Sequence, residues 1–208
     1  SSDVCSSDLF ITLEGGEGVG KSTLATALEA RLTARGVKLV RTREPGGTPG
    51  AEALRRMILN PPPEVGSWEP IVETLLFYAA RRDHLDKLIR PSLASGAWVL
   101  CDRFSDSTRA YQAAAGHVPA EDIETIDRVC VGETTPDLTL ILDLPLFAAR
   151  HRMTVRANDK DAIESRMLSY HEAVHRAFRS RFGEPEWHLH RLDARPHAWA
   201  GKVHVGRF

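Results

Sequence analysis

The 208-residue sequence has little that would staple, anchor or strongly charge a fold. Its three cysteines, Cys5, Cys101 and Cys130, are an odd number at wide spacing with no CxxC pair. That pattern implies neither a disulfide framework nor a zinc site, so they read as reduced thiols. No apolar run approaches the ~20 residues of a membrane helix, and no charged start followed by an apolar stretch marks a secretory signal. A membrane protein is set aside and a cytoplasmic one expected. With 27 Lys and Arg against 28 Asp and Glu, the net charge of -1 supplies no basic excess for nucleic acid. The nine histidines give no metal pattern: His188 and His190 alternate along an expected strand, and His171 and His175 sit among arginines on an expected helix. No Asp or Cys stands beside them at zinc-site spacing.

What is present is the composition of one globular domain, 42% hydrophobic and 26% charged, expected over residues 10–208. Ser1 to Leu9, "SSDVCSSDL", is polar and aperiodic, abuts a strong strand at Phe10, and resembles a translated sequencing-library adapter; residues 1–9 are expected to be a non-native tail. At the other end "AWAGKVHVGRF" reads as the start of a final amphipathic helix.

Between these ends, strands alternate with helices. Strands are expected at Phe10–Leu13, Val37–Val40, Trp98–Cys101, Leu138–Leu142 and Trp187–Leu192. A helix follows Ser22 with Leu24, Ala27, Leu28 and Leu32 at three- and four-residue spacing, and another covers Ala51–Leu59, before three prolines. A long one from about Ile71 to Ile89 puts Ile71, Leu75, Tyr78, Leu85 and Ile89 on one face. Shorter helices are expected near Asp106–Ala115 and Ala120–Val131, and Ile163, Met167, Tyr170, Val174 and Phe178 stripe a last long one. This order predicts an α/β fold, a parallel five-stranded sheet with helices on both faces and ligands at the carboxyl ends of the strands.

"GGEGVGKS", Gly15 to Ser22, matches the P-loop pattern between a strand and a helix. Glycines let backbone N–H groups wrap phosphates, and the helix behind adds its positive end. Lys21 places a cation against the outer phosphates, and the Ser22 hydroxyl can ligate Mg²⁺. A nucleotide is therefore expected along Gly15, Gly16, Glu17, Gly18 and Val19, then Gly20, Lys21, Ser22 and Thr23. Asp102, closing an apolar strand, is a candidate for the second acidic position on Mg²⁺ or its waters. A P-loop does not name the acceptor, and Glu17 inside a phosphate cradle is unexpected.

"FITLEGGEGVGKST", "TREPGG", "LLFYAARRDH", "DRFSDSTRAYQ" and "PDLTLILDLP" resemble, in order and spacing, the thymidylate kinases, over about Phe10 to Phe182. The resemblance implies a nucleoside monophosphate kinase-like P-loop fold, Mg²⁺ and ATP, transfer to dTMP, and a homodimer. It implies that Phe77 stacks on thymine and Arg81 contacts the nucleotide, the two being one turn apart on one helix face. It implies that Arg103 holds the dTMP phosphate, that Tyr111 favours deoxyribose, and that Ser107, Thr108 and Gln112 read the base. Glu14, Glu44 and Pro45 are placed near the acceptor phosphate or sugar, with Arg55 beside them.

A glutamate in the loop marks, by the same resemblance, the group that brings arginines from a lid. Eight Lys and Arg against four Asp and Glu lie between Phe147 and Phe182. The lid is expected at about 148–161, with Arg150 and Arg156 as the closing cations beside Arg152 and Lys160. One departure is visible: Asp161-Ala162-Ile163-Glu164 lacks the arginine that related lids carry where Ala162 stands. A related kinase with another acceptor, such as a deoxynucleoside or a different nucleoside monophosphate, or a regulatory nucleotide-binding module without transfer, therefore stays open at this stage.

Overall fold

The structure is a computed structural model that describes residues 8–155 and 161–180, together with the backbone of 187–190 and 202–206. Strand β1 (Phe10–Glu14) is followed by α1 (Lys21–Thr33), β2 (Leu39–Arg43), α2 (Pro49–Leu59) and α3 (Pro70–His84). A wider π-type turn, Leu85–Ile89, carries α3 into α4 (Arg90–Ala94) and β3 (Trp98–Asp102). Then come α5 (Ser105–Thr108), a second π-type turn (Arg109–Ala114), α6 (Ala120–Cys130), β4 (Leu138–Asp143), α7 (Leu146–Val155) and α8 (Leu168–Ser180). Strands β5 (Trp187–His190) and β6 (Lys202–Gly206) complete the order.

The strands form one sheet in the order β2-β3-β1-β4-β6-β5. The first four are parallel, and their register pairs Leu13 with Asp102, Arg43 with Asp102, and Glu14 with Ile141. Glu14, Arg43 and Asp102 thus finish on one rim, where the strand order reverses between β3 and β1. Open α/β sheets bind ligands at that place.

Alternation along the strands accounts for the helices on both faces. Phe10, Val99 and Cys101 point to one side, among Tyr78, Leu85, Ile89, Phe104 and Ile123. Ile11, Leu13 and Leu100 point to the other, against Ala25, Leu24 and Leu28 of α1. Successive strand side chains must face opposite ways, so runs that are apolar throughout need cover on both sides. Phe10, 1% exposed, meets Phe104 edge to face at 5.0 Å. A buried side chain of this size contributes about 1.5–3 kcal/mol.

Four expectations need correction. The fifth strand exists as Trp187–His190, but it reaches the sheet through β6, and both of β6's pairings are antiparallel, so the parallel-paired part has four strands, not five. Residues 202–206, read as the start of a helix, form a strand against β4; the alternation of Val203 and Val205 with polar neighbours is a period of two. On α3, Tyr78, Leu85 and Ile89 are buried as expected, but Ile71 and Leu75 are 42% and 50% exposed, while Glu73, Thr74, Arg81 and His84 face inward. In α8 the apolar stripe likewise holds at Val174 and Phe178 and fails at Met167, which is 79% exposed and precedes the helix.

Candidate active site

The loop after β1 is glycine-rich because its neighbours leave no room for side chains. Gly15, at φ +125°, would bring a Cβ within 2.5 Å of the Leu142 carbonyl oxygen. Gly18, at φ +73°, would overlap the carbonyl of Ala149 on α7. The loop is thereby seated against β4 and α7 before α1 begins at Lys21. Lys21 is buried and its Nζ donates to the carbonyls of Gly15 and Gly16 at 3.0 and 2.8 Å. Burial, with the charge of Arg103, lowers its pKa to about 8.

Behind the loop lies a cavity of ≈ 250 Å³. It is lined by Glu17, Gly18 and Gly20 of the loop with Lys21 and Ser22 of α1, and by Phe77 and Arg81 of α3 with Thr108, Tyr111 and Gln112. Asp102, Arg103 and Ser107 line it too, as do Glu44, Pro45 and Arg55. Sites expected from residues as far apart as 17 and 112 therefore converge on one space.

The π-type turn at Arg109–Ala114 explains part of this convergence. Wider turns favour a face recurring every four to five residues, and such turns occur often at functional sites. Ser107, Thr108, Tyr111 and Gln112 are all buried along one wall.

Arg103 is the hub. Its backbone sits in the left-handed region at φ 76°, unusual for a residue with a side chain. Its Nη1 donates to Gly15 O at 2.9 Å and Ser107 Oγ at 3.0 Å, and its Nη2 to Glu17 Oε1 at 2.6 Å and Tyr111 Oη at 3.1 Å. Glu17 therefore has a structural partner 86 positions away, which the sequence did not disclose. Burial works against the Glu17 charge, but Arg103 and Lys21 outweigh it and hold the carboxyl at about 2.

Glu14 supports the same hub from beneath. It is 0% exposed and accepts from Phe104 N at 2.7 Å and Ser107 Oγ at 2.6 Å. Burial and the charge of Asp106 push its carboxyl up to about 7. It does not line the cavity; it fixes residues that do.

Arg81, 2% exposed, donates to Glu44 Oε2 at 2.7 Å and to Thr108 Oγ1 at 3.1 Å. Its guanidinium lies 4.8 Å from the Tyr78 ring and 5.0 Å from the Phe104 ring, and Nη1 is buried with no protein partner. Burial opposes its charge and Glu44 outweighs that, raising its pKa. Pro45 contributes its carbonyl to Arg55 Nη1 at 2.7 Å, and burial, then Arg43, lowers the Arg55 pKa. Glu44, His84 and Cys101 also come close enough to suggest a metal. Their polar atoms are already engaged: Glu44 with Arg81 and His84, His84 with Thr42, and Cys101 with the Arg103 carbonyl.

For Mg²⁺ the donor set fits. Asp102 Oδ1 is buried without a hydrogen-bond partner, and Asp102 lines the cavity together with Ser22 of the first turn of α1. A carboxylate and a hydroxyl are the hard oxygen donors this ion prefers, with water completing its shell.

Other expected residues stand outside this cavity. Gly16, Val19 and Arg150 line a smaller one of ≈ 120 Å³ between the loop, α7 and α8, and Arg150 is exposed. Thr23 is exposed on α1. The first half of the expected lid is the helix α7; Arg156 and Lys160 lie outside the described residues. Ala162 is half-buried and its N–H donates to Leu59 O at 3.0 Å, and Asp161, Ile163 and Glu164 complete the cavity wall. Sequence reasoning missed Phe104, Asp161, Ile163 and Glu164, all cavity-lining, and also Glu73, whose signal was an acidic residue four positions before Phe77.

The family model for thymidylate kinase matches residues 13–198. A thymidylate kinase of Caulobacter vibrioides is 51% identical over 165 residues, 79% of this chain and 78% of that protein. One of Chromohalobacter salexigens is 45% identical over 188 residues, 89% and 87% of the two chains. Among solved structures, a crystal structure of thymidylate kinase from Ehrlichia chaffeensis superposes with a TM-score of 0.65 at 31% identity, covering 85% of this chain and 87% of that one.

Proposed function

The chain belongs to the thymidylate kinase family, whose members phosphorylate dTMP to dTDP, and we propose that it does so with Mg-ATP in the ≈ 250 Å³ cavity. The observation that carries this reading is the cavity's mixed lining. It joins a P-loop to an aromatic ring and buried hydrogen-bonding side chains, and Arg103 bonds to both groups, to Gly15 and Glu17 of the loop and to Ser107 and Tyr111.

The P-loop N–H groups and Lys21 hold the donor's outer phosphates. Ser22 and Asp102 would hold Mg²⁺, which supplies charge neutralisation on the phosphoryl oxygens when bound. Arg103 orients the acceptor phosphate for in-line attack, and Glu14 keeps Phe104 and Ser107 in register beneath it. Phe77 stacks on the base, Arg81 with its unpartnered Nη1 donates to it, and Thr108 and Gln112 read its edge. Tyr111 packs where a ribose 2′-hydroxyl would project. Glu44 and Pro45, with Arg55, border the acceptor; Arg150, and Arg156 beyond the described residues, are the proposed closing cations. Such a site works by positioning and by charge stabilisation, since the protein forms no bond with the phosphoryl group.

The reading extends to assembly and place. Met57, Ile71, Val72, Leu75 and Val129 are exposed apolar side chains on α2, α3 and α6, which pack on one another. Such a face supports a homodimer. A cytoplasmic enzyme of one kinase domain is part of the same proposal; among the described residues no helix is long and apolar enough to cross a membrane. The test is a coupled ADP-release assay with dTMP, dUMP, dCMP, AMP and thymidine as acceptors. Turnover with dTMP well above AMP and thymidine is expected; a folded, ATP-binding protein that leaves dTMP untouched refutes the reading.

A further inference from the structure

Gln112 is 2% exposed on the cavity wall. An amide is nearly symmetric in shape and opposite in character at its two ends, so the wall could present the base with an acceptor or with a donor. Glu73 of α3 removes the choice. It is 4% exposed and does not line the cavity, and its Oε1 lies 3.0 Å from Gln112 Nε2. A carboxylate accepts only, and turning the amide would set oxygen against oxygen in a buried place. The amide nitrogen is thus engaged inside the protein, leaving the carbonyl oxygen to the cavity.

Two further contacts hold Glu73 to this task. Its Oε2 pairs with Arg166, the counter-charge that a buried carboxylate needs. The Arg166 guanidinium lies 4.5 Å from the Tyr170 ring, and the Tyr170 hydroxyl donates to Tyr111 O at 2.9 Å, on the turn that carries Gln112. Carboxylate, cation, ring and turn make one closed support around the amide.

We propose that Glu73 is a positioning residue that locks the Gln112 amide with its carbonyl toward the base, so that the cavity accepts a ring N–H and rejects a ring lone pair. The proposal rests on the cavity being the dTMP site. Thymine carries a hydrogen on N3, and cytosine carries a lone pair there. A site that must leave a buried acceptor unpaired discriminates strongly against the wrong ring.

The experiment compares kcat/KM for dTMP and dCMP in the full chain and in Glu73→Gln, at saturating Mg-ATP. Glutamine at 73 can donate as well as accept, which frees the Gln112 amide to turn. The dTMP/dCMP ratio is expected to fall at least about tenfold, while the KM for ATP changes less than about twofold. Glu73→Asp, still an acceptor only, is expected to keep more of the preference than Glu73→Gln. An unchanged ratio in Glu73→Gln, or equal losses in both variants, overturns the proposal. If Glu73→Gln does not melt cooperatively, the Glu73→Gln/Arg166→Gln double variant removes both charges and is judged by the same ratio. Failure of the unaltered protein to use dTMP refutes the reading of the cavity, and this proposal with it, and is distinguishable because it precedes any variant.

Discussion

Glu44→Ala should be among the most damaging single substitutions in the structure. Arg81 and Glu44 are 2% and 5% exposed and meet at 2.7 Å. Arg81 has Thr108 as its other side-chain acceptor, and Nη1 has none in the protein, so removing Glu44 strands a buried guanidinium. Breaking such a pair on one side costs about 3–5 kcal/mol. The cavity gives water some access to Arg81, which favours the lower figure. For a chain of this size each kcal/mol moves Tm by about 2–4 °C, so a fall of about 6–12 °C is expected. The assay is thermal unfolding followed by circular dichroism without nucleotide, because bound ligand would mask the loss by mass action. Removing both charges with Glu44→Ala/Arg81→Met should recover part of the loss, since an apolar replacement of a buried pair is often close to neutral. A Tm within about 2 °C of the parent for Glu44→Ala, or a double variant as unstable as the summed single losses, would refute the reasoning.

Two other expectations concern the loop and its support. The Glu14 carboxyl stands at about 7 against an ordinary 4.5, so its favourable contribution to folding is complete below about 4.5 and is lost as pH rises through 7. Glu14→Gln should therefore flatten the stability profile between those values relative to the parent, by on the order of 3 kcal/mol in urea melts at stepped pH; parallel profiles would contradict the assignment. Gly18→Ala puts a Cβ into the Ala149 carbonyl at φ +73° and should lift the loop from α7. It should raise the KM for ATP by about tenfold or more, with dTMP binding measured without ATP little changed; an unaltered KM for ATP would show that the loop tolerates the shift.

Much of this architecture is legible along the chain, because three of the four parallel strands, β1, β3 and β4, are short, mostly apolar runs closed by a carboxylate on one rim. The P-loop is legible for the same local reason: glycines, lysine and serine act within eight positions. The inner face of α3 was not, since a periodicity reading assumes that buried means apolar. Here Arg81 lines the cavity, while Glu73, Thr74 and His84 are buried with hydrogen-bond partners inside the protein, and Ile71 and Leu75 are left outside. The pairing of Glu17 with Arg103 is a property of the fold, made when the ends of β1 and β3 come side by side.

That pairing changes what an acidic residue does in a phosphate cradle. Any visiting anion meets an arginine that already holds a carboxylate at 2.6 Å, one that stays charged down to a pH of about 2. A small monovalent ion gains little by intruding, whereas a phosphate monoester, doubly charged and with three acceptor oxygens, can displace the resident or share the cation. A carboxylate in the cradle therefore sets a requirement on whatever engages Arg103: it must offer that guanidinium more than Glu17 already does.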